Sequence, residues 1–267
     1  MYRAKLFLAL ASAMVLAGGL MCVSHASAET IQIIASADSS LYNAYPNYNA
    51  GAFGDWSLRK TTYPGTLRDL RGLLTFDLNV PELNQPGVII TDVKLRVTGT
   101  SGSSGTVETT LGVYELLHNY QEGTKTSWSG ADPGDVTWNH ISYDTVFWSV
   151  PGAGGIGTDR SGTLLASMTV IPGFIANRTQ YWFVSTSAFK DVVQSKLGGK
   201  LNLFAWVENA ADENERNCKF WPRVGSDPTN TAESLFIEYE IIPEPSTLML
   251  LAGGLLGLLC YAWRKRR

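Results

Sequence analysis

The chain is poor in cysteine, with three in 267 residues: Cys22, Cys218 and Cys260. Cys22 lies in an apolar N-terminal run and Cys260 in an apolar C-terminal one. Only Cys218 stands between them, so the body can form no internal disulfide and depends on its hydrophobic core. Cys218 itself reads as a small buried residue. A nucleophilic thiolate wants a histidine partner, and only His118 and His140 are available in the body. Basic residues are also scarce away from the ends. Setting aside Arg3, Lys5, Arg264, Lys265, Arg266 and Arg267 leaves 15 of 21 basic residues, and setting aside Glu244 leaves 23 of 24 acids. The body therefore carries about −8, which excludes the basic footprint that nucleic acid requires. A local basic patch can still meet a polyanionic glycan. There is no Gly-x-Ser-x-Gly elbow, no EF-hand spacing and no repeat at solenoid or propeller period.

What is present begins at the two ends. Arg3 and Lys5 precede the apolar run Leu6 to Leu20, and Ala26-Ser27-Ala28 offers a small-x-small cleavage site before Glu29. Residues 1–28 are expected to be a secretory signal peptide, with an uncleaved anchor as the alternative. A lipoprotein reading of Cys22 fits poorly, because Met21 stands where a small side chain is needed. At the other end Pro243-Glu244-Pro245 precedes an apolar run from Thr247 to Trp263, followed by Arg264-Lys265-Arg266-Arg267. A run of about 17 residues is the short end of what spans a hydrocarbon core. The basic cluster should stay on the cytoplasmic side, leaving everything before it outside. Motif, span and basic cluster in this order resemble a PEP-CTERM sorting signal over residues 243–267. That resemblance implies an exosortase-type membrane protease as partner. It also implies export through the inner membrane, anchoring by the C-terminal transmembrane helix, and a final place in the cell envelope or extracellular matrix.

Between the ends, residues 29–242 are dominated by period-two patterns. Leu74, Phe76, Leu78 and Val80 alternate with Thr75, Asp77 and Asn79. Val93, Leu95 and Val97 form a second stripe, Leu201, Leu203, Ala205 and Val207 a third, and Leu235, Ile237, Tyr239 and Ile241 a fourth. Such alternation predicts half-buried strands of antiparallel sheets. Turn-rich stretches separate them: Gly99 to Gly105, Asp132-Pro133-Gly134, Pro151 to Gly157 and Gly198-Gly199. One short helix is expected where Phe189, Val192, Val193 and Leu197 share a face, capped by Ser187 and ended by Gly198. The expected fold is all-β, an antiparallel β-sandwich or jelly roll with one short helix.

The order of motifs in the body resembles the DNRLRE domain. It opens with Asp38, Pro46-Asn47-Tyr48-Asn49 and Gly51. Arg71-Gly72-Leu73-Leu74-Thr75-Phe76-Asp77-Leu78 and Val93-Lys94-Leu95-Arg96-Val97 follow. Then come Leu111-Gly112-Val113-Tyr114, Glu122-Gly123-Thr124 and Val136-Thr137-Trp138-Asn139, and Leu235-Phe236-Ile237-Glu238-Tyr239 closes the series. The family usually has Trp before the Glu-Gly pair, where Tyr120 stands here. The resemblance implies a secreted sandwich similar to carbohydrate-binding modules. It directs any structural calcium to Asp38 with Asn47 or Asn49, calcium being held by six to eight oxygens. The alternative is that these Asp and Asn side chains cap turns.

Six aromatics lie in or near loops: Tyr120, Trp128, Trp138, Tyr143, Trp148 and Trp221. Exposed rings can stack on the apolar face of a pyranose, whereas buried ones fill cores. At least half of the six are expected to be structural, with Trp138 and Trp148 the first choices for binding. Trp182 and Trp206 fall inside strand patterns and are expected in the core or on a sheet face. Catalysis has little behind it. His140 beside Asn139, with Tyr143 and Arg160 nearby in sequence, could serve a polysaccharide lyase, and paired carboxylates for glycoside hydrolysis are not recognisable without distances. The expectation is an exported, non-catalytic protein that binds or organises polysaccharide, with a polysaccharide-degrading lyase or hydrolase as the alternative.

Overall fold

The computed structural model describes residues 28–62, 65–100, 104–173, 175–209, 211–223, 232–242 and 245–265, the side chains of 104 and 245–252 excepted. The expected signal peptide lies outside them apart from Ala28, as do Pro243, Glu244, Arg266 and Arg267. The body begins with β1 (Glu29–Ile34), β2 (Ala37–Tyr42), β3 (Tyr48–Asn49), β4 (Trp56–Thr61), β5 (Arg68–Asp77) and β6 (Val88–Thr98). It continues with β7 (Ser104–Gly105), β8 (Thr109–Leu116), β9 (Ser129–Gly130), β10 (His140–Ser142), β11 (Val146–Phe147) and β12 (Arg160–Val170). Then come β13 (Gln180–Trp182), β14 (Val184–Ser185), the helix α1 (Ser187–Ser195), β15 (Lys200–Val207), β16 (Arg216–Phe220) and β17 (Ser234–Ile241). A terminal helix α2 spans Pro245–Arg264.

Two antiparallel sheets share one core. The smaller runs β1-β17-β6-β13 and the larger β14-β12-β8-β15-β5-β4-β16-β7, with β2 added against β5. Leu95, Val97, Leu235 and Ile237 from the small sheet meet Leu58, Leu74, Leu111, Leu201 and Leu203 from the large one. Each such side chain contributes about 1.5–3 kcal/mol by leaving water. With Cys218 buried among them, its thiol pushed up to about 12 by burial, the core holds without a disulfide.

The small sheet behaves as period two requires. In β17, Leu235, Ile237 and Tyr239 are buried while Phe236, Glu238 and Glu240 are half-buried on the other face. In β6 the phase slips. Glu238 pairs with Asp92 but Tyr239 pairs with Ile90, so the extra residue Thr91 makes a bulge that keeps Ile90 and Val93 both inward. The large sheet departs from the expected half-burial. Residues 72–76 of β5 and 201–205 of β15 are buried on both faces. The reason is a long excursion between β8 and β12 that folds over the outer face. It forms a second core of Leu41, Leu73, Leu116, Val136, Ile141, Trp148, Ala153 and Phe204. On its other face, toward the main core, β5 requires Gly72. A β-carbon at Gly72 would lie 2.3 Å from the indole of Trp56, which is itself 1 % exposed.

The helix α1 arrives where expected, but its cap shifts by one residue. Thr186 is the N-cap and Ser187 the first helical residue, and the Thr186 hydroxyl donates to Leu164 O and Leu165 O instead of to the helix. Phe189 and Val193 seal one end of the main core, and Gly198 follows with φ +75°. In α2 the side chains from Gly253 to Lys265 are exposed, among them Leu255, Leu256, Leu258, Leu259, Tyr261 and Trp263. Among the described residues no helix is long and apolar enough to cross a membrane.

Candidate functional site

At the end of β2 the chain makes two successive turns. Tyr45 N–H donates to Tyr42 O at 3.1 Å, and Tyr48 N–H donates to Tyr45 O at 3.0 Å. Tyrosines spaced by three residues therefore emerge on one side. Tyr45 and Tyr48 stack with centroids 5.3 Å apart and planes 15° apart, and Tyr42 meets Tyr45 edge-on at 5.4 Å. Pairing of β3 with β9 sets Tyr48 opposite Gly130, and this brings in Trp128. Its ring lies 5.4 Å from Tyr42, 6.2 Å from Tyr45 and 6.3 Å from Phe53. Tyr45 is 44 % exposed and Tyr48 41 %, while Trp128, Tyr42 and Phe53 are half-buried. A cluster of rings partly open to water in this way suits contact with an apolar ligand surface.

The platform stands on a fixed frame. Asn49 is buried and uses its whole amide: Nδ2 donates to Glu122 O at 2.7 Å and Val136 O at 2.9 Å, and Oδ1 accepts from Gly51 N–H at 3.0 Å. Asn47 Oδ1 accepts from Asn139 Nδ2 at 2.9 Å. At the rim Lys125 pairs with Asp132 at 2.8 Å. Hydrogen-bonding groups thus border the rings, as a site for a hydroxyl-rich ligand needs.

Of the six loop aromatics that were candidates for binding, only Trp128 joins the platform. Trp148 is buried, 4 % exposed, and its Nε1 donates to Thr137 O at 2.9 Å. That corrects the expectation of an exposed stacking ring. Its neighbours are the apolar side chains of the second core, and the indole fills that space. Trp138 is half-buried with the Arg71 guanidinium 4.6 Å from its centroid, and a β-carbon on Gly152 would sit 2.7 Å from its ring. Tyr143 packs edge-on to His140 at 5.2 Å. Tyr120 is half-buried, and desolvation holds its hydroxyl well above the usual range. Trp221 donates through Nε1 to Asn177 Oδ1 at 3.1 Å. The sequence did carry a signal for the missed residues, the Tyr42-x-x-Tyr45-x-x-Tyr48 spacing.

The side chains expected to hold calcium make other contacts. Asn49 and Asn47 have their side-chain oxygens engaged by other protein groups as described. Asp38 meets Glu122 and Arg223 instead: its carboxylate accepts Arg223 N–H at 2.6 Å, and its own N–H donates to Glu122 Oε1 at 3.3 Å. Burial, aided by Glu122, pushes Asp38 up to about 7. Among the described residues no group of three or more His, Cys, Asp or Glu is placed to hold a metal ion.

The residues of the lyase reading fall in two different settings. His140 is buried, hydrogen-bonded to Thr137 and packed on Tyr143 and Phe147, and burial lowers its pKa. Arg160 lies instead against Tyr114, Phe204 and Trp206, at 4.6, 5.2 and 4.8 Å. Trp206 receives three cations, since Lys60 and Arg71 also stand 4.8 and 5.2 Å from its centroid. Glu208 accepts from both Trp206 Nε1 and Tyr114 OH at 2.7 Å. This half-buried array is knitted to itself, and its members come from β4, β5, β8, β12 and β15. A polar cleft of about 310 Å³ lies beyond it, lined by His118, Asn119, Lys196, Lys200 and Asn202 among others.

A search of curated proteins finds no match to the chain. Its tail is similar, over residues 242–267, to the PEP-CTERM protein-sorting motif, which indicates an exported protein sorted at the membrane and processed by an exosortase, a membrane protease.

Proposed function

We propose that the protein is a non-catalytic, polysaccharide-binding component of the cell envelope or extracellular matrix. Its leader, residues 1–28, directs export. Residues 247–263 hold it in the membrane until the exosortase acts. The apolar side chains from Leu255 to Trp263, exposed around the whole of a terminal helix, support that anchoring, because a helix apolar on all sides needs lipid or protein around it. The body would then be displayed or released. Its likeness to DNRLRE modules rests on its sequence motifs.

The observation that carries the binding reading is the exposed Tyr45–Tyr48 stack, extended by Trp128. Rings of this size are normally buried, and three of them at one loop cluster leave an apolar strip bordered by amides and an ion pair. The purified protein should be retarded in native gels containing polysaccharide, without shortening the polymer. Free mobility in every polysaccharide tried would count against binding and favour a purely structural matrix role. New reducing ends or unsaturated uronates would replace the reading with the enzymatic one.

A further inference from the structure

Glu233, just before β17, is wholly buried, and neither of its carboxylate oxygens has a hydrogen-bond partner. The charged and titratable groups that face it come from three other elements. Asp38 lies on β2, Glu122 and Tyr120 on the excursion after β8, and Arg223 just beyond β16. Arg223 is engaged elsewhere: its N–H binds Asp38 Oδ2 and its Nη2 binds Glu122 Oε2, both at 2.6 Å. Three carboxylates thus share the neighbourhood of one arginine, whose guanidinium pairs with Glu122 and whose backbone N–H binds Asp38. Fully ionised, they would leave two uncompensated negative charges, with the Glu233 and Asp38 carboxylates themselves buried. Burying an unpaired carboxylate costs far more than protonating it.

We propose that Asp38, Glu122, Glu233 and Arg223 form a proton-operated clasp, in which Glu233 is held as the neutral acid and the sandwich loosens when the cluster ionises. The clasp joins β2, the excursion, the segment after β16 and the entry to β17, so its state bears on both sheets. Desolvation is the first cause of the upward shift at every acid in it. Glu233 lies well above its ordinary 4.5, Asp38 is raised from 3.8 to about 7, and Glu122 is also raised. The folded molecule therefore binds more protons here than the unfolded chain does. The stabilisation is full below the unfolded values and is lost as pH rises through the folded ones.

The test is thermal melting of the full chain in detergent, from about pH 5 to about pH 8, where the clasp should lose its protons. The wild-type melting temperature should fall steadily across this window, and Glu233→Gln, which mimics the neutral acid, should flatten the fall. Equal slopes for the two would overturn the proposal. If Glu233→Gln does not fold, Asp38→Asn serves for the same comparison. Infrared spectra of the wild type give an independent reading. A buried protonated carboxyl band at neutral pH is expected, and its absence overturns the proposal. Calcium chloride added at the alkaline end should leave the wild-type melting temperature unchanged. A rise that Glu233→Gln abolishes would make the cluster a cation site instead.

Discussion

The rings of Tyr45 and Tyr48 lie face to face at the surface, 5.3 Å apart and 15° from parallel. Two consecutive turns, closed by Tyr45 N–H to Tyr42 O and Tyr48 N–H to Tyr45 O, hold them there. A stacked pair in the core would need no further account. At 44 % and 41 % exposure this pair keeps apolar surface in water, and a ligand that covers it recovers that free energy.

Truncating Tyr45 or Tyr48 to Ala should weaken polysaccharide retention by at least about 1 kcal/mol, or roughly fivefold, as loss of an interface anchor does. The melting temperature should change less than for a core ring, because both residues keep over 40 % of their surface in water. Affinity electrophoresis beside calorimetry on the same samples separates the two effects. Retention that survives the double variant removes the platform.

Trp148→Ala should behave in the opposite way. Its indole is buried in the second core and donates to Thr137 O, so the variant should lose about 3–5 kcal/mol of stability. Chemical denaturation measures this directly. A loss under about 1 kcal/mol would mean that the excursion packs loosely on the sheet.

Gly72→Ala tests the closeness of β4 and β5. The new methyl would meet Trp56 Cζ2 at 2.3 Å, and neither strand can move without disturbing the core. A cost of about 1–3 kcal/mol or more is expected from overpacking. Unchanged stability would show that Trp56 can turn aside.

Replacing Pro243, Glu244 and Pro245 with alanines should leave insertion intact, since the apolar run and the basic end remain. Processing should stop, and the full-length form should accumulate in the membrane fraction. Immunoblots of membrane and released fractions decide this. A mature form of unchanged size and location would sever the motif, matched over residues 242–267, from processing.

The strand stripes of β5, β6, β15 and β17 were legible in the sequence because alternation over a few residues is a local property. So was α1, from the spacing of Phe189, Val192, Val193 and Leu197, although its cap moved to Thr186 when the Ser187 backbone entered the helix. The tail was legible for the same reason, with motif, apolar run and basic cluster lying in one short stretch.

Exposure was not legible. Trp148 and Tyr45 both occur in loop-like sequence, yet one ends in a core and the other at the surface. The difference is made by what covers them, the outer face of the large sheet for Trp148 and only the neighbouring rings of Tyr42, Tyr48 and Trp128 for Tyr45. The cluster of Asp38, Glu122, Arg223 and Glu233 was equally hidden, since its members lie far apart along the chain and meet only when β2, the excursion, the segment beyond β16 and the start of β17 converge. The sequence by itself determined the sorting tail, the β architecture and the reliance on a core without disulfides, all of which follow from composition and short-range pattern. The tertiary structure alone decided which aromatic rings face solvent and which carboxylates are buried together, because burial is set by long-range packing and no local pattern encodes it.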